Sequence, residues 1–597
     1  MSLLPSPLPN RRSPRRAGTA LVASLLLLAA CGGSGGASGT SDTIGTAASG
    51  ADPASAPTTV IAGVTEPPTT IADAVRLASQ GGFGASDALV DGIRSQGPGA
   101  WIAAQMAVAR SRYQSGGSDE IDSQIGVALC DRTGVDVQAC WTENHSTQPL
   151  VRDFYRNALT QSDQLRQRVA FATQQIVVVS NVEVLGTYGF RRWHNALLDL
   201  AFANWRDVLR LAVFSPLMGE YLGHVNNYKA APNENFAREL LQLFSIGTCR
   251  LAADGQLEGG RCTPNYDNEM VRAYAYALTG WTYPSGGTST GGCWPEGVNC
   301  RYLDGEMVPL PAFHDTASRR LLSGVVVPAG SDAATAAERV LDSLMAHTSM
   351  GPFVGRQMIQ HLVTSNPSSA YVARVASAFD AGRFRVAGQV FGRGRKGDLA
   401  ATVAAVLLDT EARRADPGRD FGRLREPALV FTSVLRALDG TTDGEPFGFA
   451  IGGALRQVMF RPPTVFSFYQ PDQPLPGSTL VAPAFGIYGA NTALARLNFL
   501  SWLIDQGGSA ATPGRADALA TRVDLTRLAA DADDAGALVD RIAILVTSVP
   551  LPATARAKVI DAVQAASVGQ TGAAARLARA RAAAWLVLAS PQFQVQR

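Results

Sequence analysis

From Ile71 to the C-terminus, apolar side chains recur at intervals of three and four residues in one segment after another, and this period is the strongest constraint on the fold. Helices are expected over Ile71 to Gln80, Ala85 to Gln96, Ala100 to Arg112, Gln161 to Ser180 and Phe202 to Phe214. The pattern continues through Asn265 to Gly280, Ala334 to His347, Pro352 to Thr364, Ser368 to Asp380, Asp398 to Leu408 and Leu424 to Leu438. It returns over Asn491 to Asp505, Ala535 to Ser548, Ala553 to Ala566 and Ala573 to Ala589. Strand-like runs are few and short, Gly324 to Val327 among them. With 46% hydrophobic and 17% charged residues over 597 positions, a large core is within reach. The expectation is a mainly α, multi-helical globular body with long Gly/Pro-rich loops and few short strands. Two such loops are Thr282 to Phe313, Gly-rich with two cysteines, and Arg461 to Pro483, whose repeated prolines exclude regular helix.

One helical segment separates its side chains by chemistry more sharply than the rest. At roughly 100° per residue, Glu234, Asn235, Arg238, Glu239, Gln242 and Ser245 fall within about 140° of one another. Phe236, Ala237, Leu240, Leu241, Leu243 and Phe244 fill the opposite arc, and only Ile246 intrudes among the polar residues. A helix from Glu234 to Ile246 is therefore expected, with Gly247 as its C-cap. Its polar arc is either a solvated or structural ionic face, or a site.

The N-terminus reads as an export signal. Arg11, Arg12, Arg15 and Arg16 precede the short apolar run Leu21 to Leu28, and Leu28-Ala29-Ala30-Cys31 follows, in the manner of a bacterial lipobox. Residues 1–31 are expected to be a lipoprotein signal with Cys31 lipidated, which anchors the chain to a membrane. Gly32 carries no acidic retention signal, so an organism with two membranes would place it in the outer one. Removing the four arginines from 52 basic residues leaves 48 against 50 acidic, a mature charge of about −2 that gives no reason to expect a nucleic-acid partner. Residues 32–68, rich in Gly, Ser, Thr and Ala, are expected to be a disordered tether. Residues 69–506 would form the main helical body, 507–516 a linker, and 517–597 a C-terminal helical group packed on that body.

Of seven cysteines, Cys31 is assigned to lipid and six remain in an oxidising compartment. Neighbours pair naturally as Cys130 with Cys140, Cys249 with Cys262 and Cys293 with Cys300, among 15 formal connectivities. A zinc site built from Cys249, Cys262, Cys293 and Cys300 is the competing arrangement, although no Cys-x-x-Cys pair occurs.

The run Asn233 to Gly247 resembles the central motif of a bacterial exported family known as the domain of unknown function number eighteen hundred. Further pieces of the same pattern occur in order: Phe83-Gly84, Trp101 to Gln105, Leu165 to Ala170, Ala277 to Trp281 and Phe313-His314-Asp315. Phe353 to Gln357, Leu424-Arg425-Glu426-Pro427, Arg461-Pro462-Pro463 and Ser590 to Gln596 follow. The resemblance implies a mainly helical exported protein, often encoded beside a sulfatase-like exported partner, with no established activity.

Two functions are therefore in view. The first is a lipid-anchored envelope protein that binds or scaffolds, with a sulfatase-like partner or a surface polymer as its ligand. The second is a hydrolase or other enzyme on the polar arc, with Glu234, Glu239, His314 and Asp315 as candidate acids, bases or ligands. Arg238 and Lys229 would then clamp an anion, flanked by His224, Asn227, Asn233, Asn235 and Gln242. No His-x-x-x-His pair or phosphate-binding Gly-rich loop is present, and the two Gly-x-Ser-x-Gly matches, Gly32 to Gly36 and Gly287 to Gly291, lie in Gly-rich stretches with no strand-to-helix elbow pattern around them. The basic loop Gly392 to Gly397 is read as solvated, with acidic lipid or polysaccharide as its other possible contact.

Overall fold

The computed structural model describes residues 69–115, 130, 133–287, 293–416 and 418–597. The expected signal segment with Cys31 and the expected tether lie outside the described residues.

Apolar periodicity produces helices close to where it predicts them, and caps set their ends. Thr70, Ser86, Asp332, Ser368, Asp398 and Asp534 each accept a backbone N–H of the first turn, opening the helices Ile71–Gln80, Asp87–Gln96, Ala333–Ala346, Ser369–Ala381, Leu399–Leu408 and Ala535–Thr547. Among the described residues, strands form only four two-stranded antiparallel pairs. The fold is mainly α.

Some elements depart from expectation. The helix expected from Leu424 begins at Pro427, because Arg423 and Leu424 pair instead with Gln596 and Val595 in a short antiparallel ladder. The helix expected from Glu234 to Ile246 spans only Asn235–Gln242. Its carbonyls are closed early: Ser245 Oγ donates to Leu240 O at 2.6 Å and Leu241 O at 3.2 Å, and Gly247, at φ +73°, donates its N–H to Leu241 O. The helices Gln148–Thr160 and Thr187–Leu200 were not expected at all. Buried polar residues interrupt their apolar stripes: Arg152 and Asp153 in the first, His194 in the second.

One contiguous core runs from Ala74 to Phe593. The helix Ile71–Gln80 packs on Ala535–Thr547, so the start of the described chain is seated on its C-terminal part. Arg515, in the 507–516 segment, pairs with Asp443 and with Glu445 at 2.7 Å. Phe468 and Tyr469 of the Pro-rich loop form a small second cluster with Leu424, Ala484 and Ile487. The cysteines pair as neighbours, 130 with 140, 249 with 262 and 293 with 300, which removes the zinc alternative. No described helix is long and apolar enough to cross a membrane.

Candidate functional site

The signature helix, Asn235–Gln242, has a differently built environment at each end. At its N-terminal end a loop lattice fixes the backbone. Asn227 Oδ1 accepts Asn233 N–H at 2.8 Å and its Nδ2 donates to Asn233 O at 3.2 Å, while Asn233 Oδ1 accepts the first helical N–H, that of Asn235. Asn235 Nδ2 reaches Leu222 O at 3.4 Å. Lys229 N–H donates to Phe313 O and Gly280 N–H to Asn227 O, which stitches this loop to the one carrying His314. The sequence candidates therefore do share a neighbourhood, but most of their side chains are committed within it. Glu234 is held by Arg238 at 3.2 Å and Arg272 at 3.3 Å. Asp315 pairs with Arg319 at 2.7 Å, and that guanidinium sits 3.9 Å from the Tyr276 ring centroid. His314 is buried with Nδ1 2.8 Å from Thr279 O. His224 is buried and stacked on Phe236, with ring centroids 4.4 Å apart; burial lowers its imidazole to about 4 against a weaker opposing contact from the Val213 backbone. Among the sequence candidates, Lys229 is an exposed residue.

Glu239 is less fully committed. Its carboxyl is partly buried, and Oε2 has no protein hydrogen-bond partner. Burial raises its pKa, with Arg238 opposing. The hydroxyls of Tyr266 and Tyr221 are pushed up to about 12 by burial and in part by the Glu239 charge, and the Tyr266 hydroxyl also lacks a protein partner.

At the C-terminal end of the helix lies a cavity of about 300 Å³. Gln242, Leu243, Gly247 and Thr248 form one wall, and Phe353, Arg356, Gln357 and Gln360 a second. Their i, i+3, i+4, i+7 spacing places the second group on one face of the helix Met350–Leu362. Val465, Phe466, Pro471 and Asp472 of the Pro-rich loop close the third side, with Gln175 and Ile176 at the end of Gln164–Ile176. Gly247 is required here: a Cβ on it would sit 2.9 Å from the Phe353 ring. Gln360 ties the loop down by donating to Ser365 O at 3.1 Å and Pro471 O at 3.2 Å. Gln175 is 5% exposed, yet neither atom of its amide has a protein partner, and Gln357 Nε2 is likewise unpaired. Burial lowers the Arg356 guanidinium, with Asp472 opposing, and these two are the only charged residues of the lining.

Below this cavity is a pocket of about 20 Å³ that shares Gln175, Gln357 and Gln360 with it and adds His361, Arg423 and Tyr469. Its support is an ionic network. Fully buried Glu426 accepts from Arg423 at 2.8 Å, the Tyr469 hydroxyl at 3.0 Å and Gln457 Nε2 at 2.7 Å. Burial works against ionised Glu426, but Arg423, Arg168 and these hydrogen bonds outweigh it and hold the carboxyl below its usual range. Arg168 and Arg423 both donate to His361 O, at 2.6 Å and 2.5 Å. Burial, with Arg423 adding to it, lowers the His361 imidazole to about 3.

Of the sequence candidates, Gln242 lines the cavity, as does the disulfide residue Cys249; none of the other catalytic or binding candidates does. Sequence reasoning missed Gln175, Phe353, Arg356, Gln357, Gln360 and Phe466 as site residues. The available signal was the set of short segments that carry the family resemblance, because Gln242 to Gly247, Phe353 to Gln357, Leu424 to Pro427 and Arg461 to Pro463 lie at or beside this cavity and the network below it. In the basic loop, Lys396 pairs with Asp380 at 3.2 Å. Among the described residues no group of three or more His, Cys, Asp or Glu side chains could hold a metal ion.

A disulfide-stapled, mainly α body with an amide-lined cavity at the end of a short two-faced helix defines the class. The chain belongs to the family described as Protein of unknown function (DUF1800), whose model matches residues 76–595. No curated protein and no solved structure matches it.

Proposed function

We propose that this is an exported, lipid-anchored binding protein of the cell envelope, and that its ligand enters the cavity at the C-terminal end of the signature helix. The observation that carries the reading is Gln175: an amide 5% exposed, lining the cavity, with donor and acceptor both unused by the protein. A buried amide left unpaired costs roughly 1–3 kcal/mol, so a fold gains nothing by keeping one there unless something else uses it. Export and anchoring rest on the Arg-rich start, the apolar run and Cys31, and the three disulfides fit an oxidising compartment. A sulfatase-like exported partner or a surface polymer is the ligand in view. Thr248 is an exposed residue of the rim and serves as a plug position. Mature protein immobilised through its tether should retain envelope material that Thr248→Trp releases. Equal retention by the variant, or none by either protein, contradicts the reading. Palmitate labelling in the native host, lost in Cys31→Ser, tests the anchor.

The unpaired Oε2 of Glu239, whose charge acts on the Tyr266 hydroxyl, favours a second reading, a hydrolase acting from the polar face of the signature helix. It predicts that retained material is cleaved by the wild type and not by Glu239→Gln; intact material after incubation with the wild type counts against it.

A further inference from the structure

The cavity lining specifies a ligand chemistry. Four of its seven polar side chains are amides, Gln175, Gln242, Gln357 and Gln360, beside Thr248, Arg356 and Asp472. An amide presents a donor and an acceptor side by side, which matches hydroxyl groups that each donate and accept. Gln175, 5% exposed, keeps both a donor and an acceptor unpaired and Gln357 a donor, all three atoms lying just beneath the lining, so that a turn of the side chain is needed to bring them to a ligand. Phe353 and Phe466, both partly exposed, add aromatic faces whose negative quadrupole attracts the weakly positive C–H groups of a sugar ring. Arg356 and Asp472 leave the lining without net charge, and the Arg423 guanidinium in the deeper pocket is already matched by Glu426. An anionic polymer therefore gains no unmatched cation there. The volume of about 300 Å³ is at the small end of ligand sites, which suits one or two rings and not a lipid chain or a folded partner.

We propose that the cavity binds a neutral sugar unit of a surface polysaccharide, with Gln175 and Gln357 bonding ring hydroxyls between Phe353 and Phe466. This rests on the binding reading above and adds the ligand class to it. The test uses the mature Cys31→Ser protein, immobilised through its tether and exposed to envelope extract. Extract is supplied untreated, oxidised with periodate to cleave vicinal diols, or digested with proteinase K. The expected result is retention by the wild type that Thr248→Trp abolishes, that periodate destroys, and that protease and high salt leave intact. Gln175→Leu should weaken it roughly tenfold, the effect of one or two lost hydrogen bonds. Thr248→Trp-sensitive retention that protease removes and periodate spares overturns the sugar assignment while the binding reading stands. Retention eluted by salt overturns neutrality of the ligand. Absence of any Thr248→Trp-sensitive retention overturns both.

Discussion

Gln175 shows why single side chains in this protein deserve separate bookkeeping for fold and function. It sits near the end of a buried helix, where an amide has nothing to gain from Ile176 or Leu243 beside it. Replacing it by leucine removes the unpaired polar group at nearly constant volume, so Gln175→Leu should stabilise the fold by about 1–3 kcal/mol in urea titration. Glu426 is the opposite case, since every partner it has is also buried. Glu426→Ala leaves the buried Arg423 guanidinium without its counter-charge and the Tyr469 hydroxyl without its acceptor, and a loss of about 3–5 kcal/mol is expected from the same titration. Neither role was legible in the sequence. Gln175 reads there as one more polar residue on a helix, and Glu426 as part of a family segment, because Gln175 meets the distant segments around Gln242, Phe353 and Phe466, and Glu426 meets Gln457 and Tyr469 from the loop beyond its own helix.

At the scale of elements, the signature helix was legible as amphipathic, and its length was not. Ser245 and Gly247 end it by local hydrogen bonding that periodicity does not report. The two-arc pattern was correct about the core face: Phe236, Ala237, Leu240 and Leu241 are buried. It said nothing about the division of the polar residues, where Glu234 is ion-paired, Glu239 is partly buried and Gln242 enters the cavity. Glu239 gives this element a pH signature. Burial raises its pKa in the folded chain above the unfolded value, so its contribution to stability is full below the ordinary carboxylate range and is lost as pH rises through the folded pKa. Glu239→Gln should therefore be more stable than the wild type at neutral pH and indistinguishable from it in acid, as read from urea midpoints at both pH values. A wild type more stable than the variant at neutral pH contradicts the burial account.

For the whole molecule, the mainly α class and most helix positions followed from periodicity. The long-range closures did not. Leu424 reads as helical in its own window and becomes a strand because Val595 lies beside it. The helix Gln148–Thr160 is hidden because Arg152 pairs with Glu143 and Glu445 while buried Asp153 pairs with Arg156. Burial on this scale also makes the fold acid-sensitive. Burial lowers His194 to about 3 and His224 to about 4, and burial with Arg423 lowers His361 to about 3, all from 6.5. The folded-state values are depressed, so the stability is present above the unfolded value and is lost as pH falls toward the folded ones. The unfolded chain takes up as many as three more protons across that interval, at about 1.4 kcal/mol per pH unit for each. Urea midpoints should drop between pH 7 and 4, and replacing His224 by phenylalanine should flatten the decline; a midpoint constant over that range contradicts it.

The central claim is that the cavity at the end of the signature helix is kept for a ligand at a cost in stability. Gln175→Leu tests it most directly, by melting temperature and envelope retention measured on the same preparation. The melting temperature should rise while retention falls. A variant that melts lower than the wild type, or that retains envelope material unchanged, contradicts it.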